Sequence, residues 1–244
     1  MKYLRNDRGN VIIFSLGIMA ILLFMFLLIG SFASVFVAKE KSSNIAQQAS
    51  LVASSILKEE VEEGIDSYEL FVGSQEFVSE AGVGMDLCDF QDSTVIQISE
   101  NIKIYCSLES LVDKRYVTSL GYNHLSAKEK KRQVTNDVLK EQIPINEVLQ
   151  GYIEDSASIA SGRIPGAVEA NILENKGIVE GTEIAVSDTN RITISTNTRY
   201  EALKYDEMFS ENERKVEQQG AGPTFQFLGV LSSKGSLFYT FPKN

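Results

Sequence analysis

The sequence has little of what enzymatic and metal-binding sites are commonly built from. Among 244 residues there are two cysteines, one histidine and no tryptophan. Two cysteines do not make a zinc site, which needs four ligands, and His124 stands too isolated in Gly121-Tyr122-Asn123-His124-Leu125 to help complete one. The same scarcity removes His-based catalytic sets, and His124 reads as a surface-loop residue rather than a general base. No Gly-x-Ser-x-Gly elbow, His-Glu-x-x-His pair or Walker loop occurs. Gly82-Val83-Gly84 begins a dinucleotide fingerprint, but Leu87 occupies the place of its third glycine. A basic surplus is missing as well. Lys and Arg number 23 against 33 Asp and Glu, a formal charge of −10. That balance excludes a general nucleic-acid binder, which must present a cationic face to phosphates. No catalytic, cofactor-binding or metal-ligating residues are expected, and neither is a small-molecule substrate. Hydrophobic content of 43% also excludes a disordered chain.

What is present is concentrated at one end. Val11 to Val37 contains no charge and no proline. About 20 apolar residues cross a bilayer core, and a helical run of this length spans roughly 40 Å. A cleavable secretory signal would have a shorter apolar region of about 7–15 residues followed by a small-residue cleavage site. Ala33-Ser34-Val35 is a poor one, so the run reads as a retained anchor. Lys2, Arg5 and Arg8 on one flank outweigh Lys39 and Lys41, paired with Glu40, on the other. This bias predicts an N-terminus on the cytoplasmic side. Residues 1–39 hold four basic residues and one acid, which leaves 19 against 32 beyond them, a formal charge of −13. An acidic portion of that kind suits an exposed surface domain rather than adhesion to anionic lipid.

Helical periodicity continues past the apolar run. Ile45, Ala49, Val52 and Ile56 form a stripe, with Gln47, Gln48, Ser54, Ser55 and Lys58 elsewhere on the wheel. No proline or glycine interrupts from Ser31 to Glu63, and Gly64 is the expected stop. The prediction is one helix from about Arg8 to Glu63, whose outer half buries a narrow, alanine-rich stripe that lets a sheet or another helix come close. Gly30 and Ser34 form a small-x-x-x-small pair inside the apolar run, suited to contact with another membrane helix.

Arg8-Gly9-Asn10-Val11-Ile12-Ile13-Phe14, the long apolar run, and then Val37-Ala38-Lys39 through Asn44-Ile45-Ala46-Gln47-Gln48-Ala49-Ser50-Leu51-Val52-Ala53 together resemble the TadE/TadG-like proteins of tight-adherence (Tad/Flp) pili. The family has an Arg-Gly pair before the membrane helix and a Gln/Ala-rich amphipathic helix after it. Ile192-Thr193-Ile194-Ser195, Tyr200-Glu201-Ala202-Leu203 and the run from Gly220 to Val230 resemble the strand and aromatic-loop pattern that closes many such chains. The resemblance implies a bacterial, single-pass plasma-membrane protein acting as a minor pilin or pilus-assembly component, with the bilayer and other pilin-like subunits as partners. It implies processing between Gly9 and Asn10, although the family's Glu at the fifth position after the cut is Phe14 here. It also implies contact roles for Gly30, Ser34, Ala46, Ala49, Val52 and Ala53. TadG-like relatives often carry an Asp-x-Ser-x-Ser metal motif, which this chain lacks. The competing reading is a single-pass extracytoplasmic binding or sensor module that works through a membrane partner, since a tail of about ten residues holds no output domain of its own.

The expected organisation is a cytoplasmic basic tail (1–10), a transmembrane helix (11–37), an amphipathic extension (38–63) and an extracytoplasmic α+β domain (64–244). The fold class is α+β and pilin-like, the long helix packing on an antiparallel sheet. Residues 67–84 read as mixed, with turns at Gly73, Gly82 and Gly84. Thr94–Ile98 and Ile102–Cys106 are predicted as a hairpin. Ser126–Gln142 is predicted as a helix opened by a Ser126/Glu129 capping box and bounded by Pro144. Further helices are expected at Asn146–Ala160, at Pro165–Asn175 (capped by Gly177) and at Leu203–Phe209. Strands are expected at Thr182–Val186, Arg191–Thr196, Thr224–Leu231 and Ser236–Phe241. Outside a membrane, Cys88 and Cys106 are expected to pair as a disulfide, the alternative being two buried thiols. Glu80, Asp86, Asp89 and Asp92 match no calcium loop and read as a solvated turn. Lys128 to Arg132 reads as the exposed start of a helix.

Overall fold

In the computed structural model, which describes residues 7–74, 92–99, 102–199 and 215–242, the architecture is α+β. A 67-residue helix, α1 (Asp7–Gly73), opens the chain. A hairpin follows, β1 (Val95–Ser99) with β2 (Ile102–Tyr105). Three helices come next, α2 (Leu108–Thr118), α3 (Ala127–Gln142) and α4 (Glu147–Glu174). The last part builds an antiparallel sheet from β3 (Ile178–Val186), β4 (Arg191–Arg199), β5 (Lys215–Thr224) and β6 (Tyr239–Thr240). Its strand order is β5-β4-β3-β6.

The core lies where α1, α4 and the sheet meet. Helix α4 runs antiparallel to α1: Gly64 faces Ser156 and Tyr152, Glu60 faces Arg163, and Ile45 faces Gly177. Ile192, Ile194, Thr196 and Thr198 alternate along β4 and are buried against α1, while Ser195 and Glu217 face outward, joined at 2.7 Å. A sheet covered on one face and solvated on the other gives this alternation. Phe225, Phe227, Leu228, Leu231, Leu237 and Phe241 close the core from the C-terminal turns.

Several local expectations stand. The 94–106 hairpin forms, with Ile96 opposite Ile104. Helix α3 carries the capping box on Ser126 and Glu129, and hydrogen bonding to Ser126 holds the Glu129 carboxyl below its ordinary pKa. Strands 182–186 and 191–196 are present and longer than expected.

Others are corrected. Gly64 does not end the first helix, which runs on to Gly73. A β-carbon at Gly64 would fall 2.2 Å from the Ser156 hydroxyl, so this glycine permits the α1–α4 crossing. The two helices expected on either side of Pro165 are one helix, α4, with Pro165 inside it. Proline costs a helix one hydrogen bond, but Ile164 and Val168 beside it are both buried, and that packing keeps the helix continuous. Lys176, not Gly177, takes the left-handed conformation after α4 (φ 58°). Gly177 follows it, pressed against Ile172, and the amides of Lys176 and Gly177 bond the Leu173 and Ile172 carbonyls in a Schellman arrangement. The strand expected at 224–231 is displaced N-terminally to β5, and Gln226–Gly229 form a 3-10 turn that turns Phe227 and Leu228 inward. Residues 232–237 are likewise a 3-10 turn, which leaves only Tyr239–Thr240 as strand. Helix α2 was not foreseen, although Ser107 caps it through Ser110 and Leu108, Leu111 and Val112 supply its buried face. The helix expected at 203–209 lies outside the described residues.

Candidate assembly interface

Helix α1 presents two surfaces in succession. From Ile13 to Val37 the described side chains face away from the rest of the protein, with Phe14 70% and Phe26 75% exposed. An 18-residue window of α1 has a mean hydropathy of 2.7, and α1 is the one helix among the described residues long and apolar enough to cross a membrane. A helix that is apolar all round needs an apolar surrounding. Gly30 and Ser34 sit on this surface and are half-buried against the helix's own neighbours. Gly17 has no atom within 4 Å of where a β-carbon would stand. Gly9 and Asn10 lie in the first turn of α1.

From Ala38 onward the helix has an inside and an outside. Ala46, Ala49 and Ala53 are fully buried, Val52 is half-buried, and Gln47, Gln48 and Leu51 face out. The buried stripe is narrow because it meets backbone rather than side chains. A β-carbon on Gly220 would fall 2.2 Å from the Ala46 carbonyl carbon, and one on Gly222 would fall 2.0 Å from the Ser54 hydroxyl. Side-chain hydroxyls stitch the seam. Ser42 donates to the Val216 carbonyl at 2.9 Å, and Thr198 donates to the Ala38 carbonyl at 3.0 Å. Ala46, Ala49 and Ala53 are thus occupied inside the chain's own fold. Their spacing was readable in the sequence. Their partners Gly220 and Gly222 were not, because a strand glycine signals close backbone approach without saying to what.

The far end of α1 is anchored by a buried polar junction. The Tyr68 hydroxyl donates to the Cys106 carbonyl (2.9 Å) and accepts from Asn146 Nδ2 (2.8 Å). Asn146 also donates to Thr94 Oγ1 at 3.0 Å and caps α4 by accepting the Leu149 amide. Gln142 Oε1 accepts the Thr94 amide at 2.8 Å. Tyr68, Thr94 and Asn146 have no solvent exposure. Burial pushes the Tyr68 phenol well above its ordinary pKa, partly offset by the hydrogen bond from Asn146. Nothing in the sequence flagged this junction, whose members are up to 78 residues apart. Midway along, the Glu60 carboxylate, 4% exposed, is paired with Arg163 of α4, and that pairing raises the guanidinium's pKa. Cys106 is buried and is not a free thiol. Cys88, its expected partner, lies outside the described residues.

Little else suggests chemistry. A cleft of about 770 Å³ opens between α1, α2 and α3 over Val61, Ile65 and Leu139. Four of its rim charges pair with one another: Lys58 with Glu62 at 3.0 Å, and Lys131 with Asp113 at 3.6 Å. His124 is exposed. Asp92 is exposed and pairs with Lys114 at 3.1 Å, while Glu80, Asp86 and Asp89 lie outside the described residues. Among the described residues no three His, Cys, Asp or Glu side chains converge as a metal would require.

No curated protein and no solved structure matches the chain. Residues 9–55, which cover the apolar run and the small-residue half of the seam, match the model of the Flp pilus-assembly TadE/G-like family, and over those residues the resemblance to TadE/TadG-like proteins read from the sequence is borne out.

Proposed function

We propose that this chain is a membrane-anchored minor pilin or assembly component of a Tad/Flp-type surface filament system. The observation that carries the reading is a coincidence of boundaries: the family match ends at residue 55, and within it lie both the exposed apolar helix and the first part of the buried seam. Residues 11–37 hold the subunit in the bilayer with the short basic tail on the cytoplasmic side. The seam makes the rest of α1 rigid with the sheet, so the folded body outside the membrane moves with its anchor. Gly30 and Ser34 offer the close-approach surface for a neighbouring membrane helix. Ala46, Ala49, Val52 and Ala53 act by holding the chain's own helix and sheet together, with Val52 the member most open to a neighbour. Cys88 and Cys106 close a disulfide beside the Tyr68 junction.

The test is the intact mass and N-terminal sequence of the protein from native membranes and from sheared surface material. A chain starting at Asn10 in the sheared fraction establishes a processed filament subunit. A Met1 chain confined to membranes establishes a permanently anchored assembly component. A protein found in neither fraction overturns the reading. The same spectra, with and without reductant, report the disulfide as a gain of two hydrogens on reduction.

A further inference from the structure

Three side-chain amides are buried along α3 and the turn that follows it, those of Asn136, Gln142 and Asn146. Two of them are fully engaged. Gln142 accepts the Thr94 amide and donates to the Asp92 carbonyl at 3.2 Å. Asn146 donates to Tyr68 and Thr94 and accepts the Leu149 amide. Asn136 is different. It is 4% exposed, yet its side chain makes no hydrogen bond among the described residues. Nor is it shut in like the Ser54 hydroxyl, because it lines the cleft between α1, α2 and α3.

The rest of the cleft is apolar and held in shape. Val61, Leu139, Phe225 and Phe227, all buried, line it together with the half-buried Ile65 and Tyr116. Lys130 stands over the Tyr116 ring, 4.7 Å from its centre, and Arg115 of α2 pairs with Glu141 of α3. The two helices that frame the opening are thus fixed to each other. A volume of about 770 Å³ lies within the range of sites that enclose a drug-sized ligand. The rim charges are of both signs and partly close on themselves, so charge does not select the occupant.

Folding does not account for Asn136. Asparagine is a poor helix former, and an aliphatic side chain would serve both helix and packing better. What the amide supplies is one donor and one acceptor side by side at an apolar site. An extended peptide presents the N–H and C=O of one residue on the same edge and matches both. A carboxylate would use the donor alone.

We propose that the cleft is a docking groove for an extended, apolar peptide segment of a partner protein. The partner's backbone pairs with Asn136, and its side chains replace water over Ile65 and Tyr116. The groove belongs to the folded body, so the inference does not depend on the anchoring reading above.

The experiment offers the full chain, in phosphatidylcholine nanodiscs, a library of uncharged hexapeptides with blocked ends. Retained peptides are identified by mass spectrometry. Peptides rich in apolar residues are expected to be retained, and to bind an Asn136→Leu variant about tenfold more weakly. The variant's thermal midpoint should hold or rise, which separates lost recognition from lost folding. A second measurement needs no variant. Replacing the backbone amides of a retained peptide by esters, one at a time, removes single N–H donors, and one replacement is expected to weaken binding about tenfold. The groove is overturned if no peptide is retained, if the variant binds equally well, or if every ester is tolerated. Dodecanoate is offered in parallel, and its retention in place of peptides overturns the peptide assignment. A chain that stays out of the nanodiscs overturns the anchor alone, and the same screen is then run in buffer.

Discussion

The two halves of α1 share one backbone and meet opposite requirements. Between Ile13 and Val37 the exposed residues are large and apolar on every side. Between Ala38 and Tyr68 the inward residues are mostly small, and the outward ones polar. The difference shows that side-chain size, more than hydrophobicity, distinguishes a helix made for an apolar solvent from one made to lie against its own sheet. Lipid chains adapt to any contour, so Phe, Leu and Met serve there. Gly220 and Gly222 bring backbone to backbone, and only alanine and serine leave room for that.

The comparison breaks most visibly under charge. Ala49→Asp places a carboxylate at a fully buried position with no partner. It is expected to cost at least about 4 kcal/mol, which is enough to unfold the body. Leu22→Asp, on the exposed half, should leave the thermal unfolding of the body unchanged and impair membrane retention instead. Thermal melts and membrane fractionation of both variants read the contrast directly. A folded body in Ala49→Asp would remove the seam from the account of stability.

A single methyl group makes the same comparison more sharply. Gly220→Ala puts a β-carbon 2.2 Å from the Ala46 backbone, which cannot swing aside as a side chain could. The expected loss is about 3 kcal/mol, seen as a lower denaturation midpoint. Gly17→Ala meets nothing within 4 Å, and the midpoint should not move. Comparable effects from the two glycines would show that the seam is looser than described.

The Tyr68 junction predicts a smaller, pH-dependent effect. The phenol is held protonated by burial, so its folded pKa lies above the unfolded value of about 10. Its contribution is complete below that value and is lost as pH rises further, because the unfolded state releases the proton first. Tyr68→Phe leaves the Cys106 carbonyl and Asn146 each short of a partner and should cost about 1–2 kcal/mol at neutral pH. The variant should also lose part of the decline in stability above pH 10. Parallel alkaline denaturation curves for the two proteins would exclude this role.

How far these features could be read in advance depended on how local their causes are. The apolar run, the alanine stripe, the Ser126/Glu129 box and the 94–106 hairpin each follow from neighbours within a few residues, and each was legible. Gly64 was misread as a stop and Pro165 as the start of a separate helix, because both are ordinarily local breakers. What overrides them is tertiary: Ser156 leaves no room for a β-carbon at Gly64, and Ile164 and Val168 hold α4 through Pro165. The displacement of β5 has the same origin. Gly220 and Gly222 read as poor strand residues, yet they are in the strand because α1 lies across them. The Tyr68 junction is assembled from distant segments, and no pattern in one stretch announces it.

The smallest effect tests whether the seam tolerates any polarity of its own. Ser42 and Ser50 have acceptors, at Val216 and Gln47, but the Ser54 hydroxyl is buried against Gly222 without a hydrogen-bond partner. An unsatisfied buried hydroxyl costs desolvation and returns nothing, whereas alanine at the same place keeps the small volume that the strand requires. Ser54→Ala is therefore expected to raise stability by up to about 1 kcal/mol, and Ser42→Ala, which removes a bonded hydroxyl, to lower it by a similar amount. Opposite signs in the two denaturation midpoints would show that the seam selects for size and accepts a hydroxyl only where the strand offers it a carbonyl. A loss in both would mean that Ser54 has an acceptor in solution, and that serine recurs along this face of α1 for its hydrogen bonds as much as for its size.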